Sequence, residues 1–88
     1  MNFCFTENGW MDYLFWEEND KKTLKKINVL LKDIAHNGDR IGFGKPEPLT
    51  GNLSGFFSRR IDVKNRLVYK TEEDSVIILS CRYHHSEH

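Results

Sequence analysis

Apolar residues recur along the chain at two spacings, and each spacing predicts a different kind of element. Near the start, Phe3 and Phe5 alternate with other residues, which predicts a short strand over residues 1–5. Apolar residues then recur every three or four positions, which predicts helices over about 7–18 and 21–36. The apolar stripe of the first helix comprises Trp10, Met11, Tyr13, Leu14 and Phe15, and that of the second comprises Leu24, Ile27, Leu30, Leu31 and Ile34.

Polar residues mark the ends of both predicted helices. Thr6 is a good N-cap for the first, and Glu7 follows it in the first turn, where the helix dipole favours an anion. Asp20 offers a cap for the second helix, and Gly38 supplies its C-terminal stop. Two helices joined by so short a link form an antiparallel hairpin.

The second half of the chain alternates between loop and strand patterns. Residues 38–55 hold five of the six glycines and both prolines, which predicts a loop. Three strands follow at 56–61, 66–71 and 75–84, and their short turns favour an antiparallel meander that the N-terminal strand joins. The pattern therefore predicts an α+β fold in one domain spanning residues 1–88, with two N-terminal helices packed on one face of a small antiparallel sheet.

Strand periodicity also assigns side chains to the two faces of the sheet, because alternate residues of a strand point to opposite sides. Arg60, Arg66 and His84 are expected to share the face away from the helices. This grouping depends on strand register, since a slip of one residue would reverse it. The residues expected to face the helices are Phe57, Ile61, Leu67, Tyr69, Ile77, Leu79, Cys81 and Tyr83.

The loop contains one carboxylate, Glu47, held between Pro46 and Pro48. Each proline fixes its own φ and disfavours a helical conformation in the residue before it, so Lys45 and Glu47 are both expected to be extended. One interpretation is a rigid linker between the helical half and the strand half. The other is that the two prolines present the Glu47 carboxylate over the sheet.

Composition and charge narrow the function classes. The net charge of zero argues against a general nucleic-acid coat, but residues 45–70 hold six Lys/Arg against two Asp/Glu, which indicates a local site for a polyanion. No apolar run approaches the roughly 20 residues of a membrane span. The two cysteines do not form a disulfide framework, so we expect a cytoplasmic protein with reduced thiols.

A carboxylate, a histidine and arginines on one surface are sufficient for metal-free RNA cleavage. Glu47 can act as the base that takes the proton from a ribose 2′-OH, and His84 as the acid that protonates the leaving 5′-oxygen. Arg66 would stabilise the phosphate, because its planar guanidinium matches phosphate oxygens.

The ordered motifs GKPEPL, NLSGFFSRRI, NRLVYK and the terminal CRYHH resemble the Txe/YoeB family of toxins, which belongs to the RelE-like superfamily. This resemblance implies a RelE/YoeB-like, microbial-RNase-like fold and a toxin of a type II toxin–antitoxin system. It also implies an mRNA interferase that needs no cofactor and cuts mRNA in the A site of the 70S ribosome. The implied partners are a YefM-type antitoxin and, often, a second toxin subunit.

The resemblance assigns roles to single residues. It places the catalytic glutamate at Glu47, the catalytic arginine at Arg66 and the catalytic histidine at His84. Arg60 and Lys45 are implied to contact substrate phosphates. The family usually ends in His-Tyr, whereas this chain has His85 at the tyrosine's position, where it could stack on a base of the substrate.

Three alternatives remain open at this point. The C-x2-H-H-x2-H pattern of Cys81, His84, His85 and His88 suggests zinc, although strand periodicity places Cys81 on the face opposite His84, and we predict no metal site. A relative of the same fold that inhibits gyrase is a second alternative. The third is a catalytically weakened or inactive relative that serves as an antitoxin-binding module.

Overall fold

The computed structural model describes residues 1–83 and has two helices packed on one face of a five-stranded sheet. Its elements are β1 (Asn2–Phe5), α1 (Glu7–Asn19), α2 (Lys21–Asn37), β2 (Glu47–Pro48), a 3₁₀ turn (Gly51–Leu53), β3 (Phe57–Arg60), β4 (Arg66–Glu72) and β5 (Ser75–Ser80). The predicted α+β architecture is confirmed. No helix among residues 1–83 is long and apolar enough to cross a membrane.

The predicted helix caps are also confirmed. The Thr6 hydroxyl accepts a hydrogen bond from the Gly9 amide at 3.0 Å, and the Asp20 carboxylate accepts one from the Thr23 amide at 3.1 Å. Gly38 ends α2 with a φ of 92°. These caps satisfy amides that a helix start otherwise leaves without a partner.

The sheet is mixed, which corrects the prediction of an antiparallel sheet. The strand order is β1-β5-β4-β3-β2, and β1 pairs with β5 in parallel while the other pairs are antiparallel. Both helices and three strands lie between β1 and β5 in the chain. No tight turn therefore forces these two strands to run in opposite directions.

The buried core lies between the helices and the sheet. It contains the predicted apolar face of α2, with Leu24 partly buried at its edge, and the predicted inward residues of β3 and β4. The core residues are Trp16, Ile27, Leu30, Leu31, Ile34, Phe57, Ile61, Leu67, Tyr69, Val76, Ile78 and Cys81.

The prediction of which residues in the last strand face the helices is wrong at Ile77 and Leu79, and also at Tyr83, which is exposed. Val76 and Ile78 are fully buried instead, while Cys81 is buried as predicted. The register explains both results, because Tyr69 pairs with Ile78 whereas Val68 pairs with Ser80, which leaves one extra residue in β5. This β-bulge at Leu79 reverses the alternation of faces within the strand. The strand also ends at Ser80 rather than at residue 84.

The predicted stripe of α1 is only partly correct. Trp10 and Met11 are exposed, whereas Gly9 and Trp16 are buried against the sheet. The Trp16 indole donates to the carbonyl oxygen of Cys81 at 2.8 Å. Because aromatic residues occur all around α1, periodicity alone does not select its buried face.

Replacing Gly9 by Ala is expected to destabilise the protein, although alanine is the better helix former. A Cβ atom at this position would overlap the backbone carbonyl of Ile78 in β5, which has no side-chain freedom to move away. Overpacking costs roughly 1–3 kcal/mol and exceeds the gain of up to about 1 kcal/mol in helix propensity. Urea denaturation measures the difference in the free energy of unfolding between the Gly9→Ala variant and the wild type. The control is Asn8→Ala, at the exposed neighbouring position, and a Gly9→Ala variant as stable as this control would contradict the close packing of α1 on β5.

Candidate active site

Glu47 lies in β2, at the edge of the sheet, and its side chain is exposed. It pairs directly with Ser58 of β3, and Pro48 pairs with Phe57. An edge strand tolerates prolines because their missing N–H groups are not needed for further pairing. The prediction that Glu47 is extended is confirmed: Pro46 precedes a strand of the sheet and Pro48 belongs to it, so the segment is not a separate linker.

Lys45 is not extended, which corrects the prediction for this residue. Its φ is 53°, in the left-handed region, and it follows Gly44 with a φ of 82°. The Gly44 carbonyl accepts a hydrogen bond from the Arg60 amide at 2.8 Å, so the chain turns here before it enters β2. This turn overrides the preference of a residue before proline for extended backbone.

Arg60 and Arg66 face each other across the β3–β4 pair. They are direct partners in the register, and both lie on the face opposite the helices, as predicted. Directly opposed like charges destabilise a strand pair. None of the four ion pairs among residues 1–83 involves either arginine. An anion bound between the two guanidinium groups would relieve this repulsion.

Glu47 lies on the same face as the two arginines. The register places Glu47, Ser58 and Val68 in one row across three strands, and Arg66 is two residues from Val68. At standard strand spacings the Cα atoms of Glu47 and Arg66 are about 12 Å apart. The two side chains therefore project from the same surface of the sheet.

The C-terminal segment approaches Arg66 through Tyr83. The Arg66 amide donates to the Tyr83 carbonyl at 3.0 Å, and the Tyr83 amide donates to the Asn65 side chain at 2.5 Å. Two predicted site residues, His84 and His85, follow in the sequence and lie outside the described residues, as does His88, the last histidine of the zinc pattern.

Backbone strain occurs beside both proposed catalytic segments. Among residues 1–83, three non-glycine residues have a positive φ, and two of them are Lys45 and Tyr83. Lys45 precedes Glu47 by two positions, and Tyr83 directly precedes His84. Conformations of this kind persist where the surrounding structure holds them, and they concentrate at functional sites.

Arg59 is a buried residue whose importance the sequence reasoning missed. It lies on the helix-packed face with no exposed surface, and all three of its nitrogens donate hydrogen bonds. The sequence did carry a signal of this burial, because Arg59 is two residues from both Phe57 and Ile61 and therefore shares their inward face. The acceptors are the Asp33 carboxylate at 2.5 Å, the Tyr69 hydroxyl at 2.8 Å and the carbonyl oxygens of Gly38, Ile41 and Phe43 at 2.9–3.1 Å.

Arg59, Asp33 and Tyr69 form a buried cluster, here called the Arg59 cluster, that holds the loop leading to Glu47. Burial and hydrogen bonding within this cluster also shift the pKa values of Asp33 and Tyr69. The hydrogen bond from Arg59 lowers the pKa of the Asp33 carboxyl, so this group stays ionised. Burial raises the pKa of the Tyr69 hydroxyl, which donates in turn to the Asp39 carbonyl at 2.8 Å. The cluster thus binds α2, the loop and the sheet together below the candidate site.

Cys81 is poorly suited to bind zinc. Its side chain is buried, and burial raises its pKa to about 12, whereas zinc binds the thiolate form of cysteine. The thiol lies 3.9 Å from the carbonyl oxygen of Gly9, on the helix-packed face. Cys81 therefore belongs to the core.

A comparison with protein families identifies the family of this chain. A family model described as a YoeB-like toxin of bacterial type II toxin–antitoxin systems matches residues 5–85. The chain belongs to the YoeB toxin family. The Toxin YoeB of Streptomyces coelicolor is 52% identical over 85 residues, which cover 97% of this chain and 100% of that relative.

Solved structures of YoeB toxins have the same fold as this chain. A YoeB chain in a YoeB–YefM complex from Staphylococcus aureus superposes with a TM-score of 0.91 at 46% identity, covering 97% of this chain and 98% of that one. The structure of a YoeB dimer from the same organism gives a TM-score of 0.91 at 47% identity, with the same coverage. This YoeB-family chain is a toxin of a toxin–antitoxin system.

Proposed function

We propose that this YoeB-family toxin is an endoribonuclease that cleaves translated mRNA in the A site of the 70S ribosome. The observation that carries the proposal is the direct pairing of Arg60 with Arg66 on the face that also bears Glu47. Two opposed cations beside a carboxylate suit a phosphodiester whose neighbouring hydroxyl must lose a proton.

The proposed reaction is an attack of the ribose 2′-oxygen on the adjacent phosphorus. Glu47 takes the proton from the 2′-OH, the new P–O2′ bond forms, and the P–O5′ bond breaks. His84 donates a proton to the leaving 5′-oxygen, so the products are a 2′,3′-cyclic phosphate and a 5′-hydroxyl. Arg66 stabilises the charge that develops on the phosphate oxygens.

Substrate contacts surround these three groups. Arg60, exposed and opposite Arg66, binds a phosphate oxygen, and Lys45 contacts a neighbouring phosphate. His85 stacks on a base in place of the tyrosine that usually ends the family. The reaction uses no metal ion or other cofactor.

The ribosome supplies the positioning that the charge of this chain does not. The formal net charge is zero, and the excess of basic residues is confined to the middle of the sequence. Long-range attraction to free RNA is therefore weak, whereas a substrate held by the ribosome needs only local contacts.

The proposed partners follow from the relatives. The Staphylococcus aureus toxins occur in a YoeB–YefM complex and as a YoeB dimer, so we expect a YefM-type antitoxin and a homodimer for this chain. The toxin is proposed to act as one domain in the cytoplasm, where mRNA is translated.

Cleavage on programmed ribosomes tests this function. The full chain is added to 70S ribosomes that hold a defined mRNA codon in the A site, and the RNA ends are mapped by primer extension. We expect cuts within the A-site codon, fragments ending in a cyclic phosphate, and inhibition by a YefM-type antitoxin. The control is the same mRNA without ribosomes.

Two outcomes would overturn the proposal. Intact mRNA together with inhibited DNA supercoiling would identify a gyrase inhibitor of the same fold. Intact mRNA together with tight antitoxin binding would identify an inactive antitoxin-binding module.

A further inference from the structure

Asn65 is a buried polar residue in the turn between β3 and β4, with 8% of its surface exposed. Both polar atoms of its side chain are used. The Oδ1 atom accepts a hydrogen bond from the Tyr83 amide at 2.5 Å, and the Nδ2 group donates to the Asp62 carboxylate at 3.1 Å. The side chain therefore connects a tight turn to the start of the C-terminal segment.

The Asp62 carboxylate makes this turn rigid. Its Oδ1 atom accepts hydrogen bonds at 2.8 Å from the amides of Lys64 and Asn65. Burial opposes ionisation of Asp62, but the hydrogen bonds from Asn65 and Lys64 outweigh it, and the pKa of the carboxyl is lowered. At neutral pH the acceptor is a carboxylate, so the Asn65 amide is held in one orientation.

The backbone adds a second connection at the same point. The Arg66 amide donates to the Tyr83 carbonyl at 3.0 Å, so the carbonyl of Tyr83 binds the Arg66 backbone while its amide binds the Asn65 side chain. Tyr83 has a φ of 65°, in the left-handed region that is unfavourable for a residue with a side chain. The two hydrogen bonds hold it there.

The asparagine side chain meets both hydrogen-bonding requirements of this position. The Tyr83 amide requires an acceptor and the Asp62 carboxylate requires a donor, and asparagine offers both on a short side chain. Aspartate would place a second carboxylate against Asp62, and alanine would leave the Tyr83 amide without its partner.

We propose that Asn65 is a positioning residue that holds Tyr83, the residue before His84 in the sequence, against Arg66. This inference rests on the proposed function, in which His84 protonates the leaving group and Arg66 binds the phosphate. Asn65 itself touches no substrate, and it acts through the peptide unit of Tyr83.

The test compares two leaving groups in single-turnover cleavage on programmed ribosomes. One mRNA has the natural 5′-oxygen at the scissile position, and the other has a bridging 5′-sulfur. A thiolate leaves without protonation, so the sulfur substrate does not need the acid. The variants are Asn65→Ala, His84→Ala and, as the matched control in the same turn, Val63→Ala, whose side chain is 90% exposed.

With the oxygen substrate, Asn65→Ala is expected to be at least about tenfold slower than the wild type, while Val63→Ala is unchanged. With the sulfur substrate, Asn65→Ala should be within about threefold of the wild type, as should His84→Ala. A defect of equal size on both substrates would show that Asn65 merely supports the fold and would overturn the inference.

The two proposals fail in different ways. If His84→Ala is equally slow with sulfur and oxygen, His84 is not the acid, and the proposed mechanism fails. If His84→Ala recovers with sulfur but Asn65→Ala does not, only the role of Asn65 fails. If Asn65→Ala does not fold, Asp62→Asn replaces it in the test, because this change weakens the hydrogen bond that orients the Asn65 amide. Its cleavage rate is expected to fall less, and again only with the oxygen substrate.

Discussion

Replacing Glu47 by Gln is expected to lower the single-turnover rate of mRNA cleavage by about 10²–10⁴-fold. Glutamine has nearly the same shape, but it cannot accept the proton of the 2′-OH. The Glu47 side chain is exposed, and it forms no ion pair within residues 1–83. The substitution should therefore leave the melting temperature and ribosome binding unchanged, and the defect should appear in the rate of the chemical step.

Glu17→Gln is the matched control for this experiment, because Glu17 is exposed on α1, in the helical layer on the other side of the sheet. It should cleave at the wild-type rate. Cleavage by Glu47→Gln within about threefold of the wild type would reject Glu47 as the general base. A large loss of stability would instead assign Glu47 a structural role at the edge of the sheet.

Replacing Arg59 by Met is expected to cause the largest loss of stability, about 3–5 kcal/mol. The substitution removes the buried guanidinium and leaves the Asp33 carboxylate, with 8% of its side chain exposed, without its main partner. It also removes the hydrogen bonds that hold the carbonyl oxygens of Gly38, Ile41 and Phe43. For a domain of this size the melting temperature should fall by more than about 12 °C, as measured by calorimetry or circular dichroism.

Arg60→Met is the matched control, because it changes the same residue type at the next position, on the opposite face of the sheet. Arg60 is exposed and lies opposite Arg66, so its loss relieves like-charge repulsion, and the variant should be no less stable than the wild type. It should cleave mRNA more slowly, since a phosphate contact is lost. Equal stability of the Arg59→Met and Arg60→Met variants would contradict the structural role of the buried cluster.

The pH dependence of stability supplies a check on the same cluster. The pKa of Asp33 in the folded protein is lowered from its ordinary value of 3.8 by the hydrogen bond from Arg59. This pair therefore stabilises the fold above about pH 4, and its contribution is lost as the pH falls through the lowered value. Urea denaturation in acid should show a smaller pH-dependent loss for Arg59→Met than for the wild type, because the variant already lacks the pair.

Residue type, capping and the spacing of apolar residues were sufficient to predict much of the fold and part of the candidate site. The caps at Thr6 and Asp20, the inward face of α2, and the inward Leu67 and Tyr69 all follow from residue type and spacing. The same alternation placed Arg60 and Arg66 on one face, since hairpin turns of a few residues restrict the register of neighbouring strands.

The remaining features depend on contacts between residues that are far apart in sequence. The inserted residue at Leu79 reverses the faces of β5, and no local pattern marks it. The left-handed Lys45 depends on the hydrogen bond between Gly44 and Arg60, and the parallel pairing of β1 depends on where β5 lies.

The sequence by itself determined the elements, their caps and the residue types available for phosphate chemistry, because periodicity and capping are properties of short segments. Only the tertiary structure decided which partners bind the buried Arg59, and that Asn65 holds the start of the C-terminal segment beside Arg66. The physical reason is that burial and hydrogen-bond partners are fixed by pairing across the sheet and by packing against α2. Both depend on residues tens of positions away in the chain.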